Sequence, residues 1–126
     1  GSQVNMAEPE KTILDSLDRP EFAGDIPEVA TMLWRGRASL DWKKLVGYAI
    51  RYKSQTLLQR LGYLIDCLEH PADENAHAML LAESGGKNKC YLGQPRKWGL
   101  GGKYHSTWRV VDNIPRQELF AEIEVH

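Results

Sequence analysis

The sequence predicts an α+β fold that is mainly α-helical, with five to six helices followed by a short C-terminal hairpin. Over the first two thirds of the chain, apolar residues recur at steps of three and four, which is the period of an amphipathic helix. Beyond residue 88 the pattern changes to short runs of aromatic and β-branched residues between glycines and prolines. The 126 residues, 42% hydrophobic and 26% charged, fit a single globular domain over residues 1–126.

Caps and prolines predict the first two helices. One runs from about Glu8 to Leu17, with a proline in its first turn and another proline just beyond its end. The second follows Gly24, takes Asp25 as its N-cap and ends at Gly36. Apolar residues at helical spacing give each helix one face for the core.

Three further helices are predicted in the middle of the chain. The third starts near Ser39, and the fifth covers Asn75–Glu83. The fourth has Ser54 as its N-cap and Pro71 beyond its end, with a continuous apolar face between them. Gly62 lies inside this helix, where glycine costs about 1 kcal/mol relative to alanine. That glycine predicts the close approach of a neighbouring helix.

The C-terminal third is predicted to contain two strands and a last helix. The strands are Lys89–Leu92 and Thr107–Val111, separated by a glycine-rich loop or wide hairpin. Alternation along the second strand directs Trp108 into the core and Arg109 to the solvent. Pro115 opens the last short helix.

Charge is distributed unevenly along a chain whose net charge is −1. Residues 1–86 hold nine Lys/Arg against thirteen Asp/Glu, whereas residues 87–116 hold seven Lys/Arg against Asp112 alone. A segment with a balance of +6 permits contact with a polyanion, to which cations supply a sequence-independent attraction. The expected nucleic-acid-binding residues are Lys87, Lys89, Lys97, Lys103, Arg109 and Arg116.

Other kinds of site are not indicated by the spacing. The glycines at 99–102 lack the sequence context of a P-loop and the third glycine of a dinucleotide fingerprint. Cys67, His70, His77 and Cys90 are zinc-ligand types, but only the first two form a short-spaced pair, so no metal and no cofactor is expected. The acidic residues form no paired-carboxylate motif, and a cysteine–histidine pair acts as a nucleophile only where the fold joins the two. No catalytic residue is therefore expected.

Three blocks of the sequence share the pattern of one known family. The first is AEPEKTILDSLDRPEFAGDIPEVATML at residues 7–33. The second is SQTLLQRLGYLIDCLE at residues 54–69, in which RLGYL carries the likeness. The third is GKYHSTWRVVDNIPRQEL at residues 102–119, through Gly102, Trp108, Asn113 and Pro115. In this order and spacing the blocks resemble the C-terminal domain of the AbiEi family of antitoxins, which regulate bacterial type IV toxin–antitoxin and phage-defence modules.

The resemblance implies a transcriptional autorepressor, not an enzyme, that also counteracts a nucleotidyltransferase-like toxin without forming a stable complex with it. The implied nucleic acid is operator DNA or the RNA that the toxin attacks, and a homodimer is compatible with this role. The family's N-terminal winged helix-turn-helix has no counterpart in the sequence. Gly1-Ser2 is typical of a tag-cleavage scar, so we expect a fragment of a longer protein.

Two other hypotheses stay open. One is a structural, dimerisation or protein-interaction domain without nucleic-acid binding, which exposed apolar area around Trp34 and Trp42 would favour. The other is a small hydrolase or transferase, which needs a cleft joining a cysteine or serine to a histidine. Two cysteines, no signal pattern and no apolar run near 20 residues favour a cytoplasmic location without a membrane span.

Overall fold

The computed structural model describes residues 9–18, 25–69, 73–85 and 88–121. It confirms the α+β prediction, because helices dominate and a three-stranded sheet occupies the C-terminal third. The described helices are α1 (Pro9–Asp18), α2 (Ile26–Arg35), α3 (Trp42–Arg51), α4 (Gln55–Cys67), α5 (Glu74–Glu83), α6 (Pro95–Trp98) and α7 (Arg116–Leu119). The strands are β1 (Cys90–Tyr91), β2 (Lys103–His105) and β3 (Val110–Asp112). Of the residues named above, those outside the described ranges are Gly1, Ser2, Glu8, Gly24, His70, Pro71 and Lys87.

Local capping sets several helix ends where the sequence predicts them. Asp25 Oδ1 accepts a hydrogen bond from Ile26 N at 2.7 Å, and Gly36 follows α2 as its C-cap. Ser54 Oγ accepts a hydrogen bond from Leu57 N at 3.2 Å and caps α4. These side chains satisfy main-chain N–H groups that have no partner within the helix.

The predicted start of α3 is wrong. Ser39 lies in the preceding turn, where its main-chain N–H donates to Gly36 O at 2.9 Å. Asp41 is the N-cap, since its Oδ1 accepts a hydrogen bond from Lys44 N at 3.0 Å, and the helix begins at Trp42. Serine and aspartate are both favourable N-caps, and the turn that follows α2 decides which of them is used.

One hydrophobic core joins the helices and the sheet. Helix α1 packs against α2, α3 and α4, and α5 packs against α3 and α4. Strand β3 lies against α4, so the sheet closes the core at its C-terminal end. Burial of one leucine side chain contributes about 1.5–3 kcal/mol. The fully buried leucines include Leu14, Leu17, Leu33, Leu45, Leu61 and Leu64.

Gly62 has a different neighbour from the predicted one. A Cβ on Gly62 would lie 2.3 Å from Trp108 Cζ3, so the close contact is with an indole ring and not with another helix. Trp108 is 1% exposed, and its Nε1–H donates to Asp66 Oδ2 at 2.6 Å. The close approach at Gly62 is therefore confirmed, but its partner comes from the turn before β3.

The sheet has the strand order β1-β3-β2. Strand β1 pairs with β3 in parallel, and β2 pairs with β3 antiparallel, which places Tyr104 opposite Val111. The C-terminal hairpin is therefore β2–β3. The two predicted strands, Lys89–Leu92 and Thr107–Val111, contribute the parallel pair instead, and the chain between them supplies the crossover that parallel strands require.

Loop and strand are interchanged between the prediction and the structure around His105. Lys103–His105 is a strand where the sequence predicts a loop, and residues 106–109 form a turn where it predicts the start of a strand. Arg109 closes that turn with a φ of 58°, in the left-handed region that non-glycine residues rarely adopt. The last helix begins directly after Pro115, as predicted.

Candidate nucleic-acid interface

The structure describes five of the six cations predicted to contact nucleic acid. Lys89, Lys103 and Arg116 are exposed, and none of them forms an ion pair with a residue in the described ranges. Arg116 Cζ lies 5.4 Å from the Phe120 ring centroid, a cation–π contact at the surface. Lys87 lies outside the described residues.

Lys97 is exposed but already paired. Its Nζ lies 2.7 Å from Asp25 Oδ2 and 5.2 Å from the ring centroid of Trp98. Trp98 Nε1–H donates to the same Asp25 oxygen at 3.2 Å. A polyanion must compete with Asp25 for this lysine, so we expect a smaller contribution from Lys97 than from the three cations without an ion-pair partner among the described residues.

Arg109 turns back into the protein, and the prediction that it faces the solvent is wrong. Its Nη2 donates to the main-chain oxygen of Ser84, directly after α5. Its Nε is buried and has no hydrogen-bond partner in the described structure. Gln59 Nε2 donates to the main-chain oxygens of Trp108 and Arg109 at 3.0 and 3.2 Å, which fixes the turn on α4. Arg109 therefore joins the turn to α5 instead of contributing to a cationic surface.

The unpaired lysines lie at the two edges of the sheet. Lys89 precedes β1 and Lys103 starts β2, and these are the outer strands on either side of β3. Two strand spacings, about 10 Å, separate the edges. The two lysines also lie at opposite ends of β3, because Cys90 is in register with Val110 whereas Lys103 is in register with Asp112, so a nucleic-acid strand that contacts both lysines must cross the sheet diagonally.

Arg96 is a further exposed cation, and it belongs to α6, the short helix that Asn113 holds in place. Asn113 Nδ2 donates to the main-chain oxygens of Gly93 and Gly99, both at 2.9 Å, which holds α6 against the end of β3. Asn113 directly follows the β3 residue that pairs with Lys103. Arg96 and Lys103 therefore lie at the same end of the sheet. The charge count of residues 87–116 includes Arg96 and is the sequence signal that identifies it.

A polar cleft of about 350 Å³ opens beside α4. Tyr63 OH donates to Asp112 Oδ2 at 2.5 Å and lies 3.2 Å from His105 Nε2. Burial, together with the hydrogen bond to Asp112, raises the pKa of Tyr63 well above its usual range. The lining residues are Tyr63, Asp66, Cys67, His105, Thr107, Trp108 and Arg116.

Cys67 and His105 line this cleft together, which is the kind of arrangement that the enzyme hypothesis requires. Burial raises the pKa of the Cys67 thiol, whereas a nucleophilic cysteine needs a lowered pKa. His105 Nε2 contacts the Tyr63 hydroxyl, and the two rings lie 4.7 Å apart between centroids. The environment of both groups therefore favours packing and hydrogen bonding over nucleophilic chemistry.

The zinc-ligand types are not brought together within the described ranges. His77 Nε2 lies 2.7 Å from Asp66 Oδ1, while Cys90 belongs to β1 on the sheet. The described ranges contain no group of three His, Cys, Asp or Glu side chains placed to hold a metal ion.

An apolar groove of about 710 Å³ lies between α1, α2 and α7. Ile13, Met32 and Leu40 contribute to its walls, and the exposed residues Glu28 and Glu118 also line it. The groove is larger than the polar cleft, and none of the five predicted cations that the structure describes lines it.

The two tryptophans expected to mark exposed apolar area do not do so. Trp42 is 7% exposed, and its Nε1–H donates to Arg37 O at 3.1 Å. Trp34 is half-buried, and the Arg37 guanidinium stacks on it at 3.8 Å from the ring centroid. An interaction surface centred on these rings is therefore not supported.

Two further findings concern the whole chain. Among the helices in the described ranges, none combines the length and the apolar character needed to cross a lipid bilayer. Comparisons with family models, with curated proteins and with solved structures found no match for this chain.

Proposed function

We propose that this chain is the antitoxin and autoregulatory domain of a bacterial type IV toxin–antitoxin system. It acts in the cytoplasm against a nucleotidyltransferase-like toxin, and it contacts nucleic acid through the cations of its C-terminal third. The observation that supports the nucleic-acid contact is the exposure of Lys89, Lys103 and Arg116 without a carboxylate partner among the described residues. Such cations release counterions when they bind phosphates, which favours association with any polyanion.

The packing of the second and third resembling blocks supports the same proposal. Gly62 belongs to the second block and Trp108 to the third, and the two residues are in direct contact. Gly102 has no room for a side chain, since its Cβ would lie 2.4 Å from Asp112 O. Asn113 holds α6 on the sheet through its side-chain amide. The residues that carry the resemblance are thus those that assemble the fold, which is consistent with a shared architecture.

A charge-reversal series tests the nucleic-acid contact. We expect Lys89→Glu, Lys103→Glu and Arg116→Glu each to weaken salt-sensitive retention of DNA or RNA. Each change should lower the slope of log affinity against log salt by about 1. Lys43→Glu on α3 is the matched control, because Lys43 is an exposed lysine outside the sheet. Unchanged affinity in all three sheet-side variants would show that these cations do not form the interface.

Antitoxin activity requires a separate test in cells. Co-expression of the chain with a nucleotidyltransferase-like toxin of a type IV module should restore growth that the toxin arrests. A pull-down from the same cells should recover no stable complex, because the proposed mode of action is on nucleic acid. Growth arrest that persists despite equal expression of the folded chain would contradict the proposal.

The second candidate is a dimerisation domain that makes no nucleic-acid contact. The apolar groove between α1, α2 and α7 favours it, because a second copy of the chain can bury that surface. Sedimentation velocity separates the candidates. A concentration-independent dimer that retains no nucleic acid at low salt supports the dimerisation domain and contradicts the proposed interface.

A further inference from the structure

The segment from Arg96 to Tyr104 presents apolar side chains beside cations. Leu100 is 69% exposed and Tyr104 is 48% exposed. Arg96, which is also exposed, lies on α6 at the end of the sheet where β2 begins. Lys103 directly precedes Tyr104, so alternation along β2 places these two side chains on opposite faces of the sheet. Single exposed apolar residues are ordinary, but an exposed aromatic ring near a cation is the combination that binds unstacked nucleic-acid bases.

The sheet directs Tyr104 away from the helical body. Tyr63 on α4 bonds Asp112 and His105, which therefore lie on the face of the sheet that packs on α4. Side chains alternate along a strand, so Tyr104, which directly precedes His105, lies on the opposite face. Tyr104 is in register with Val111, which is in register with Tyr91 on the other side. The outer face thus carries two tyrosines that flank one valine across three strands.

Gly101 leaves the main chain open beside this face. A Cβ on Gly101 would meet no atom of the described residues within 4 Å, and the φ of Gly101 is not in the left-handed region. The other two glycines of this loop are each required. Gly99 has a φ of 90°, and a Cβ on Gly102 would collide with Asp112 O. Neither packing nor conformation therefore requires glycine at position 101. A glycine without such a requirement permits close approach of another backbone to the loop.

We propose that residues 96–104 bind single-stranded nucleic acid, with one base stacked on Tyr104 and a phosphate beside Arg96. This inference rests on the nucleic-acid contact of the proposed function and specifies its substrate class. In a duplex the base faces are covered by their neighbours, so an exposed ring can stack only on a base of a single strand. The surface is a short sheet and a loop, whereas duplex readout in the major groove commonly uses a helix. Helix α6 has only four residues.

The test measures fluorescence anisotropy with a labelled oligothymidylate of about 12 nucleotides and with its duplex, at about 100 mM salt. We expect tighter binding of the single strand. Tyr104→Ala should weaken that binding about 5- to 100-fold, because it removes one stacked base. Tyr104→Phe retains the ring and should bind within about two-fold of the wild type.

Two glycine variants test the approach to the loop. Gly101→Val adds a side chain where the strand would pass and should weaken binding several-fold without loss of folding. Gly47→Ala is the matched control, because its Cβ also meets no atom within 4 Å but the residue lies on α3, away from the sheet. Circular dichroism of each variant establishes that the fold is intact.

The outcomes separate this inference from the proposed function. If Tyr104→Ala binds like the wild type while Lys103→Glu weakens binding, the cationic interface stands and stacking on Tyr104 is overturned. If the duplex binds more tightly than the single strand, the substrate class is overturned. If neither probe is retained at low salt, the nucleic-acid contact of the proposed function fails as well.

Discussion

At the scale of single residues, close contacts explain positions that propensity alone would disfavour. Gly62 is unfavourable in a helix by about 1 kcal/mol, yet Trp108 occupies the space that any side chain would fill. The indole is held in that place by Asp66, which accepts its N–H at 2.6 Å. The helix cost is therefore offset by the packing of a large aromatic ring.

Gly62→Ala is expected to destabilise the protein although alanine is the better helix former. The added methyl group overlaps the Trp108 ring, and overpacking of this kind costs about 1–3 kcal/mol. Gly47→Ala, which has open space, should instead leave the free energy of unfolding unchanged or raise it by up to about 1 kcal/mol. Urea unfolding of the two variants checks this, and equal stability of both would contradict the contact.

Two tyrosines predict a loss of stability at alkaline pH. Burial and the hydrogen bond to Asp15 raise the pKa of Tyr52 to about 12, and burial and Asp112 raise the pKa of Tyr63. In the unfolded chain a tyrosine releases its proton near pH 10, whereas these two tyrosines stay protonated in the folded protein at that pH. Ionisation above pH 10 therefore stabilises the unfolded state relative to the folded state. The free energy of unfolding should therefore fall as pH rises from 10 towards 12.

Urea titrations at several alkaline pH values measure this dependence. Tyr52→Phe and Tyr63→Phe should each make it shallower, whatever their effect on stability at neutral pH. A pH dependence identical to that of the wild type in both variants would show that the two phenols titrate normally in the folded protein.

At the scale of secondary-structure elements, the N-cap residue Asp41 determines where α3 begins. Asp41→Ala should destabilise the protein by about 1 kcal/mol, because Lys44 N loses its side-chain acceptor. Ser39→Ala should have little effect, because Ser39 is exposed and its Oγ donates only to Gly36 O at 3.3 Å. Thermal unfolding of both variants checks the cap, and a larger loss from Ser39→Ala than from Asp41→Ala would contradict the assignment of Asp41.

The sequence is sufficient to predict the elements that local interactions determine. Helices α1 to α5 follow from caps and apolar spacing, which act within a few residues. Strand β2 and helix α6 do not follow, because each is short and exists through contacts with β3 and with Asn113. The orientation of Arg109 also depends on a distant group, the main-chain oxygen of Ser84. The exposure of Lys89, Lys103 and Arg116 agrees with their position in a polar segment of the sequence. The ion pair of Lys97 with Asp25 could not be predicted, because the two residues are more than half the chain apart in sequence.

At the scale of the whole molecule, the sheet and the helices form one core. Trp108 connects the turn before β3 to α4, and Gln59, 2% exposed, bonds three main-chain oxygens on the same side of the protein. Elements that share a core in this way are expected to unfold together.

Tryptophan fluorescence and far-ultraviolet circular dichroism should therefore give the same urea midpoint. The fluorescence reports in part on Trp108 in the C-terminal third, while the dichroism reports mainly on the helices. Trp108→Phe should lower the midpoint seen by dichroism, because a smaller ring leaves a cavity under Gly62 and no N–H for Asp66. Two separate midpoints in the wild type would indicate that the sheet folds independently.

The contacts of Asp25 have a further consequence for the electrostatics of the chain. One carboxylate caps a helix, accepts the Trp98 N–H and neutralises Lys97. The body of the domain thus carries a carboxylate that would compete with any polyanion for Lys97. Asp25→Asn would preserve a capping oxygen while removing the negative charge. The chain would then gain one available cation, and its affinity for polyanions would rise without any new basic residue.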